Sequence, residues 1–294
     1  GELEPQLIEL QGFPSLFGFQ LMFPEIMKKH LPVPDNYTQL MSGLSDDEYL
    51  SLLKEVILNG HPPEEVILLD IKPDEQKTRI DFYCTREYTG IQPVCLTDLL
   101  IEDEKLFYRK DGKKQRVSRI YNRLIFDELS AENEIPANFF EILKPLEVEW
   151  VPHPQWYYRI SKFLLPLLRH PNIPKSWLLN EVKQIPSDLT KYVLKPLFSF
   201  GGQGVIIDIS ENDLASVIDP ENWILQEKVN YADAIQTPDG AAKAEIRLMY
   251  IWPKAAARPV LAINLARLSK GKMIGTRYNL NKTWVGGSVA FVQK

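Results

Sequence analysis

The sequence predicts an α/β protein, and three observations carry that prediction. Continuous aliphatic runs such as EEVILLDI at 64–71 read as buried strands, because a strand covered on both faces shows no polar alternation. Helical spacing of apolar residues falls between such runs, as in SDDEYLSLLKEVI at 45–57. Proline- and glycine-rich breaks separate the elements, with no internal repeat or low-complexity tract. At 294 residues, 45% hydrophobic and 25% charged, the chain can bury a sizeable core and has room for two domains.

Taken in order, residues 5–11 read as a short strand and 15–30 as an apolar helix that stops at the LPVPDN break. Ser45 is the N-cap of the next helix, with acids in its first turn. The strand at 64–71 leads into a helix ending near Tyr88 and a second strand at 92–95, which together form a small β-α-β unit. LFYRKDGKKQRVSRIYNRLI, 106–125, is a hairpin turning at Asp111 and Gly112 with a basic outer face. From about Asn138 the pattern becomes a helix, ISKFLLPLLRH, bearing Lys162, followed by strands at 193–196, 205–209 and 223–229. SENDLASVID supplies a helix between the last two strands.

The longest uncharged run, 10–24, is broken by glycine and proline and is too short to span a bilayer. The opening residues do not read as a signal peptide, so none is expected, and Cys84 and Cys95 have neither zinc spacing nor the density of a disulfide scaffold. A reducing, cytoplasmic setting follows as the expectation. The net charge of −5 argues against a general nucleic-acid binder, yet its distribution is lopsided. No Asp or Glu occurs in 246–294, which holds nine Lys and Arg residues; the remainder carries 25 basic and 39 acidic residues. Such a segment creates a positive field suited to a small polyanion, unless acids elsewhere in the fold neutralise it.

The stretch YVLKPLFSFGGQGVIIDI, 192–209, places Lys195 at the end of an apolar run and then Gly201, Gly202 and Gly204 in a loop. It is not a Walker A loop, since no Lys-Ser/Thr follows the glycines; nor is it a dinucleotide fingerprint, since the third glycine is missing and a strand follows. What remains is a flexible hairpin whose amides can close over phosphates, with Lys195 as a point charge, or else a simple turn.

Lys162 in ISK, Lys195 in YVLKP, the loop FSFGGQGV and the strand NWILQEKV stand in the order and spacing of the ATP-grasp superfamily, which this sequence resembles. The resemblance implies that Lys162 and Lys195 contact ATP phosphates and that Gly201, Gly202 and Gly204 cover them. It also implies that the hinge at Gln226, Glu227 and Val229 reads adenine through its backbone. Magnesium needs hard oxygen ligands, and nothing acidic follows Glu245. The N-terminal LIELQGFPSL offers Glu9 and Gln11, which a strand would point to one face. This order is similar to the circularly permuted ATP-grasp family that includes glutathionylspermidine synthase, with its L-x-E-x-N strand and S-N-K-x-x-L-L-P helix. Two departures stand out: Gln11 replaces the asparagine, and an upstream Arg-x-Asp element is absent. The chain opens inside what should be a hairpin, so residues are expected to precede Gly1.

The resemblance implies an ATP-grasp fold, circularly permuted, with a small pre-grasp α/β domain; in class terms it is α/β (α+β). The expected division is 1–30 as metal-binding strand and helix of the ATP-grasp core, 31–62 as a helical connection, 63–135 as the pre-grasp-like domain and 136–294 as the nucleotide-binding lobes. The implied activity is an ATP-dependent, magnesium-dependent carboxylate-amine ligase acting through an acyl phosphate. Its partners would be a small-molecule acid and amine, with no nucleic acid and no membrane; the sequence does not set the oligomeric state. Arg247 and Arg267, on predicted strands of the acid-free segment, are candidates for gripping the transferred phosphate or substrate carboxylate through forked donors, or for pairing with structural acids. A nucleotide-binding protein without turnover and a non-nucleotide scaffold with a basic tail for an acidic partner are the alternatives.

Overall fold

The computed structural model describes residues 2–125, 142, 144–199 and 201–294. It is a mixed α/β structure with several sheets, and its chain divides into two units. Gly1–Phe13, Gln155–Glu245 and Leu268–Gly286 form one, called the lysine unit below; Pro14–Pro154, Ile246–Arg267 and Gly287–Lys294 form the other, called the parallel-sheet unit.

In the parallel-sheet unit, α1 (Phe17–His30) ends on Lys28, Lys29 and His30, cations suited to the negative end of its dipole. A two-residue strand β1 (Tyr37–Thr38) precedes α2 (Asp46–Leu58), whose Ser45 cap forms a reciprocal capping box with Glu48. Strand β2 (Val66–Asp70) is buried throughout, as its aliphatic run predicts. It alternates between two cores: Val66 and Leu68 pack with Tyr49, Leu53, Ile57 and Phe82, while Ile67 and Leu69 pack with Val94, Leu106, Val117 and Ile120. Helix α3 (Arg79–Thr89) closes on Gly90, in the left-handed conformation at φ 82°. Strand β3 (Gln92–Cys95) follows, and then a meander of β4 (Leu100–Glu102), β5 (Lys105–Lys110) and β6 (Lys113–Val117) turns at Asp111 and Gly112, both at positive φ. Strands β7 (Arg119–Asn122) and β8 (Glu149–Val151) complete a four-stranded sheet of order β3-β2-β7-β8 in which every pairing is parallel.

The lysine unit is less regular. It contains the short helix α4 (Trp156–Arg159), strand β9 (Ser176–Leu178), strand β10 (Tyr192–Pro196), the short helix α5 (Glu211–Ala215) and strand β11 (Trp223–Glu227). The three strands make an antiparallel sheet of order β10-β11-β9. Its apolar support comes from two small clusters, one around Leu165, Leu197 and Ile224, the other around Leu194, Ile209 and Leu225. Most of the residues of strands β12 (Lys243–Ile251), β13 (Val260–Ser269) and β14 (Gly286–Ser288), which form a sheet in that order, belong to the parallel-sheet unit, as does β15 (Val292–Gln293), which pairs with β1.

Four sequence expectations need correction. Residues 5–11 form no strand: Pro5 has no N–H to give, and the segment's bonds, Leu7 N to Asn172 O and Gly12 N to Ile160 O, are isolated contacts rather than a ladder. The ISKFLLPLLRH helix is a 3-10 helix, Lys162–Leu167, because Pro166 inside it lacks the N–H that an α-helix would use. The strand expected at 205–209 shrinks to a single bridge between Leu194 and Ile206. The expected four-part division groups α1 with the N-terminal segment, whereas Leu21 of α1 packs in the same core as α2, β2 and α3; of the expected 1–30 region only 1–13 belongs to the lysine unit. Residues 126–141 and 143, part of the expected 63–135 and 136–294 regions, lie outside the described residues. Among the described residues no helix is long and apolar enough to cross a membrane.

Candidate functional site

The register of the antiparallel sheet explains how Lys195 is held. Lys195 lies opposite Ile224, and Gln226 is two residues further along β11, hence on the same face as its diagonal neighbour. The Lys195 ammonium donates to Gln226 Oε1 at 2.6 Å and to the Ile8 carbonyl at 3.2 Å. Gln226, itself buried, passes the connection on: its Nε2 donates to Ser176 Oγ at 2.9 Å, its direct partner across to β9, and Ser176 Oγ donates to Pro174 O. Gln226, expected to contact nucleotide, therefore uses its side chain to orient the lysine.

Lys162 opens the 3-10 helix, whose N-terminus Ser161 caps by accepting from Phe163 N. Only 5% exposed, Lys162 donates to the Ser199 carbonyl at 3.0 Å and lies 3.9 Å from a Glu9 carboxylate oxygen. Tyr157 holds the neighbouring carbonyl of Phe198 at 2.8 Å. The first arm of the glycine loop is thus fixed by side chains from α4 and the 3-10 helix. Ser199 Oγ is buried there and makes no hydrogen bond among the described residues.

The loop's glycines are required by conformation. Gly201, Gly202 and Gly204 have φ of 59°, 77° and 72°, where other residues are strained. Two also stand where the chain is tightly approached: a Cβ at 202 would lie 2.9 Å from Met273 Cε, and one at 204 would lie 2.9 Å from Pro196 Cγ. The base is closed by paired bonds between Leu194 and Ile206, each 2.9 Å.

Charge accumulates around this loop. Burial pushes the Lys195 pKa down from its ordinary 10.5 to about 8 and nearby Lys162 pushes the same way, against the opposing carboxylates of Glu9 and Glu245. Glu9 thus belongs electrostatically to the lysine pair although its own side chain is largely exposed. Gln11, two residues on, is half-buried. At the hinge, Glu227 is tied to Lys175 twice, through its N–H to the Lys175 carbonyl and through its carboxylate from the Lys175 N–H. Lys228 N donates to Lys191 O, and Val229 is half-buried beyond it. Arg247 on β12 and Arg267 on β13 are both half-buried and belong to the parallel-sheet unit.

Sequence reasoning missed Ser176, Ser199 and Glu245. Ser176 and Gln226 share a face only once the strand register is known. Glu245 carried a signal, as the last acid before the acid-free tail. For a metal, Glu9 offers one carboxylate and Gln11 one amide oxygen; among the described residues no three His, Cys, Asp or Glu side chains gather into a group able to hold an ion.

No family model matches the sequence, and no curated protein matches it. Among solved structures the chain is similar to a glutathione synthetase-like effector, GSS30, from Globodera pallida in its apo form, with 13% identity, a TM-score of 0.43 and coverage of 88% of this chain and 62% of that one. The chain thus spans about three fifths of the length of that structure.

Proposed function

We propose that the lysine unit binds the phosphates of ATP and that the protein is an ATP-dependent carboxylate-amine ligase with an ATP-grasp fold in permuted order. One observation carries the reading: half-buried Lys195 and buried Lys162, the latter 3.9 Å from a Glu9 carboxylate oxygen, stand together at the base of a three-glycine loop, and the Lys195 ammonium is held by a carbonyl and an amide oxygen, acceptors weaker than a phosphate oxyanion. Burying a cation against neutral acceptors costs stability, and the depressed Lys195 pKa registers that cost. An arriving polyanion would relieve it. The Ser199 hydroxyl, which makes no hydrogen bond among the described residues, adds a donor at the same place.

In this reading Lys162 and Lys195 neutralise charge on the phosphate oxygens, and the amides of Gly201, Gly202 and Gly204 cover them and exclude water. Glu227 and Val229 read the base through their backbone. A carboxylate oxygen of the acid substrate attacks the terminal phosphorus and ADP leaves; an amine then attacks the acyl carbon, phosphate leaves, and the amine gives up a proton. Magnesium, when bound, supplies charge neutralisation across phosphate oxygens. Glu9 and Gln11 fit it only as a partial set that the phosphates themselves complete, which is the usual manner for this ion.

The shortage of carboxylates favours a second reading, nucleotide binding without turnover. Melting curves with ATP and magnesium, with GTP and magnesium, and with neither separate the outcomes. ATP at 100 times its Kd should stabilise by about 2.7 kcal/mol, with GTP giving little. Equal or absent shifts reject the nucleotide assignment; an ATP shift without phosphate release in the presence of pooled acids and amines rejects the ligase but keeps the binding.

A further inference from the structure

We infer that the turn at 269–279 is a platform that sets the conformation of the glycine loop, with Met273 as its positioning residue. The inference concerns the loop itself and does not rest on nucleotide binding.

The turn is stitched from within. Ser269, fully buried at the end of β13, donates from Oγ to Met273 O at 2.9 Å and accepts from Gly271 N at 3.1 Å and Asn279 Nδ2 at 2.9 Å. Asn279 accepts from Lys270 N at 2.9 Å and also donates to Gly275 O at 2.7 Å. A Cβ at Gly271 would fall 2.5 Å from the Tyr278 carbonyl, so the two sides approach as closely as only glycine permits. The turn is also moored to the rest of the lysine unit. Lys282 donates to Lys270 O at 2.6 Å and Lys243 to Gly271 O at 3.3 Å, while Lys270 pairs with Asp239.

From this base two residues reach the loop. Met273 places its Cε against Gly202, and Lys272 pairs at 2.8 Å with Asp208, the residue four beyond Gly204. The ion pair is exposed and contributes little. The Met273 contact matters more, because three left-handed glycines in four positions otherwise leave the loop a wide choice of conformations. Pro196 bounds the loop at Gly204 and Met273 bounds it at Gly202. The loop is thereby confined between its own strand and a turn some seventy residues later in the chain.

Hydrogen exchange of the free protein tests this, with no nucleotide present. Met273→Ala should speed exchange of the amides at 201–205 by about fivefold or more, as expected for loss of a partly buried apolar contact. Met273→Leu, which preserves the volume, should stay within about twofold of wild type. Exchange at Leu68 and Leu69 in the parallel-sheet unit should not change. Ser269→Ala, which cuts the stitching under Met273, should accelerate the loop as well. Unchanged loop exchange in Met273→Ala and Ser269→Ala, or an equal rise in Met273→Leu, would overturn the inference. Because ATP is absent, none of these outcomes depends on whether the nucleotide assignment holds.

Discussion

In the parallel-sheet unit the buried cation Arg123 meets Asp81, a carboxylate with no exposed surface whose second oxygen takes the Phe19 N–H. Burial lowers the Arg123 pKa, but the Asp81 carboxylate, aided by Asp70, outweighs it and leaves the guanidinium above its ordinary value. In the lysine unit the half-buried cation Lys195 rests on a carbonyl and an amide oxygen, and desolvation wins over the carboxylates of Glu9 and Glu245. One unit has matched its buried charge internally and the other has left it under-matched. The difference separates a cation that holds a fold together from one whose desolvation outweighs the charges near it.

The sharpest way to break this comparison is to remove the partner of the matched cation. Asp81→Ala strands Arg123 and should destabilise the protein by about 3–5 kcal/mol in denaturant unfolding. Replacing both residues, Asp81→Leu with Arg123→Met, should recover most of the loss. A small effect of Asp81→Ala would erase the distinction between the units.

Lys195 should behave in the opposite sense. Lys195→Met removes a poorly solvated charge, so stability at pH 7 should be unchanged or higher. The folded-state pKa of about 8 lies below the ordinary 10.5, so the unfolded chain binds more protons between those values and wild-type stability should rise with pH across that window. The gain is about 3 kcal/mol. Lys195→Met should flatten it, and a wild-type profile that falls from pH 8 to 10 would contradict the assignment. Anion binding has the reverse dependence, weakening as Lys195 loses its proton above pH 8.

Within the loop, Gly202→Ala and Gly201→Ala both place a side chain at positive φ and should cost about 1–3 kcal/mol each. Only the first also meets Met273, so it should cost more; equal losses would show that the contact is slack. The smallest effect is expected at the capping box of α2, where Ser45→Ala should lose about 1 kcal/mol with no change in ligand binding.

Legibility follows the same division. The parallel-sheet unit announces itself locally: the β2 run, the Ser45 cap and the Asp111-Gly112 turn each encode their structure within a few residues. In the lysine unit the glycine loop and its two lysines could be singled out by residue type, but their holders could not. Ser176, Gln226 and the Ile8 carbonyl come together through register and long-range packing, which periodicity does not report. The segment at 5–11 misled because alternating residues suggest a strand, while strand formation also needs a neighbour with free backbone groups. Units assembled from separated stretches likewise leave no mark on local composition.

The bonds from Lys195 to the Ile8 carbonyl and to Gln226 Oε1 use two of the three donors of its ammonium, so the lysine can hold both while turning its third N–H to another acceptor. The Ile8 bond also ties the N-terminal segment to β10, so the solvent exposure of residues 7–9 becomes a readout of what Lys195 is holding.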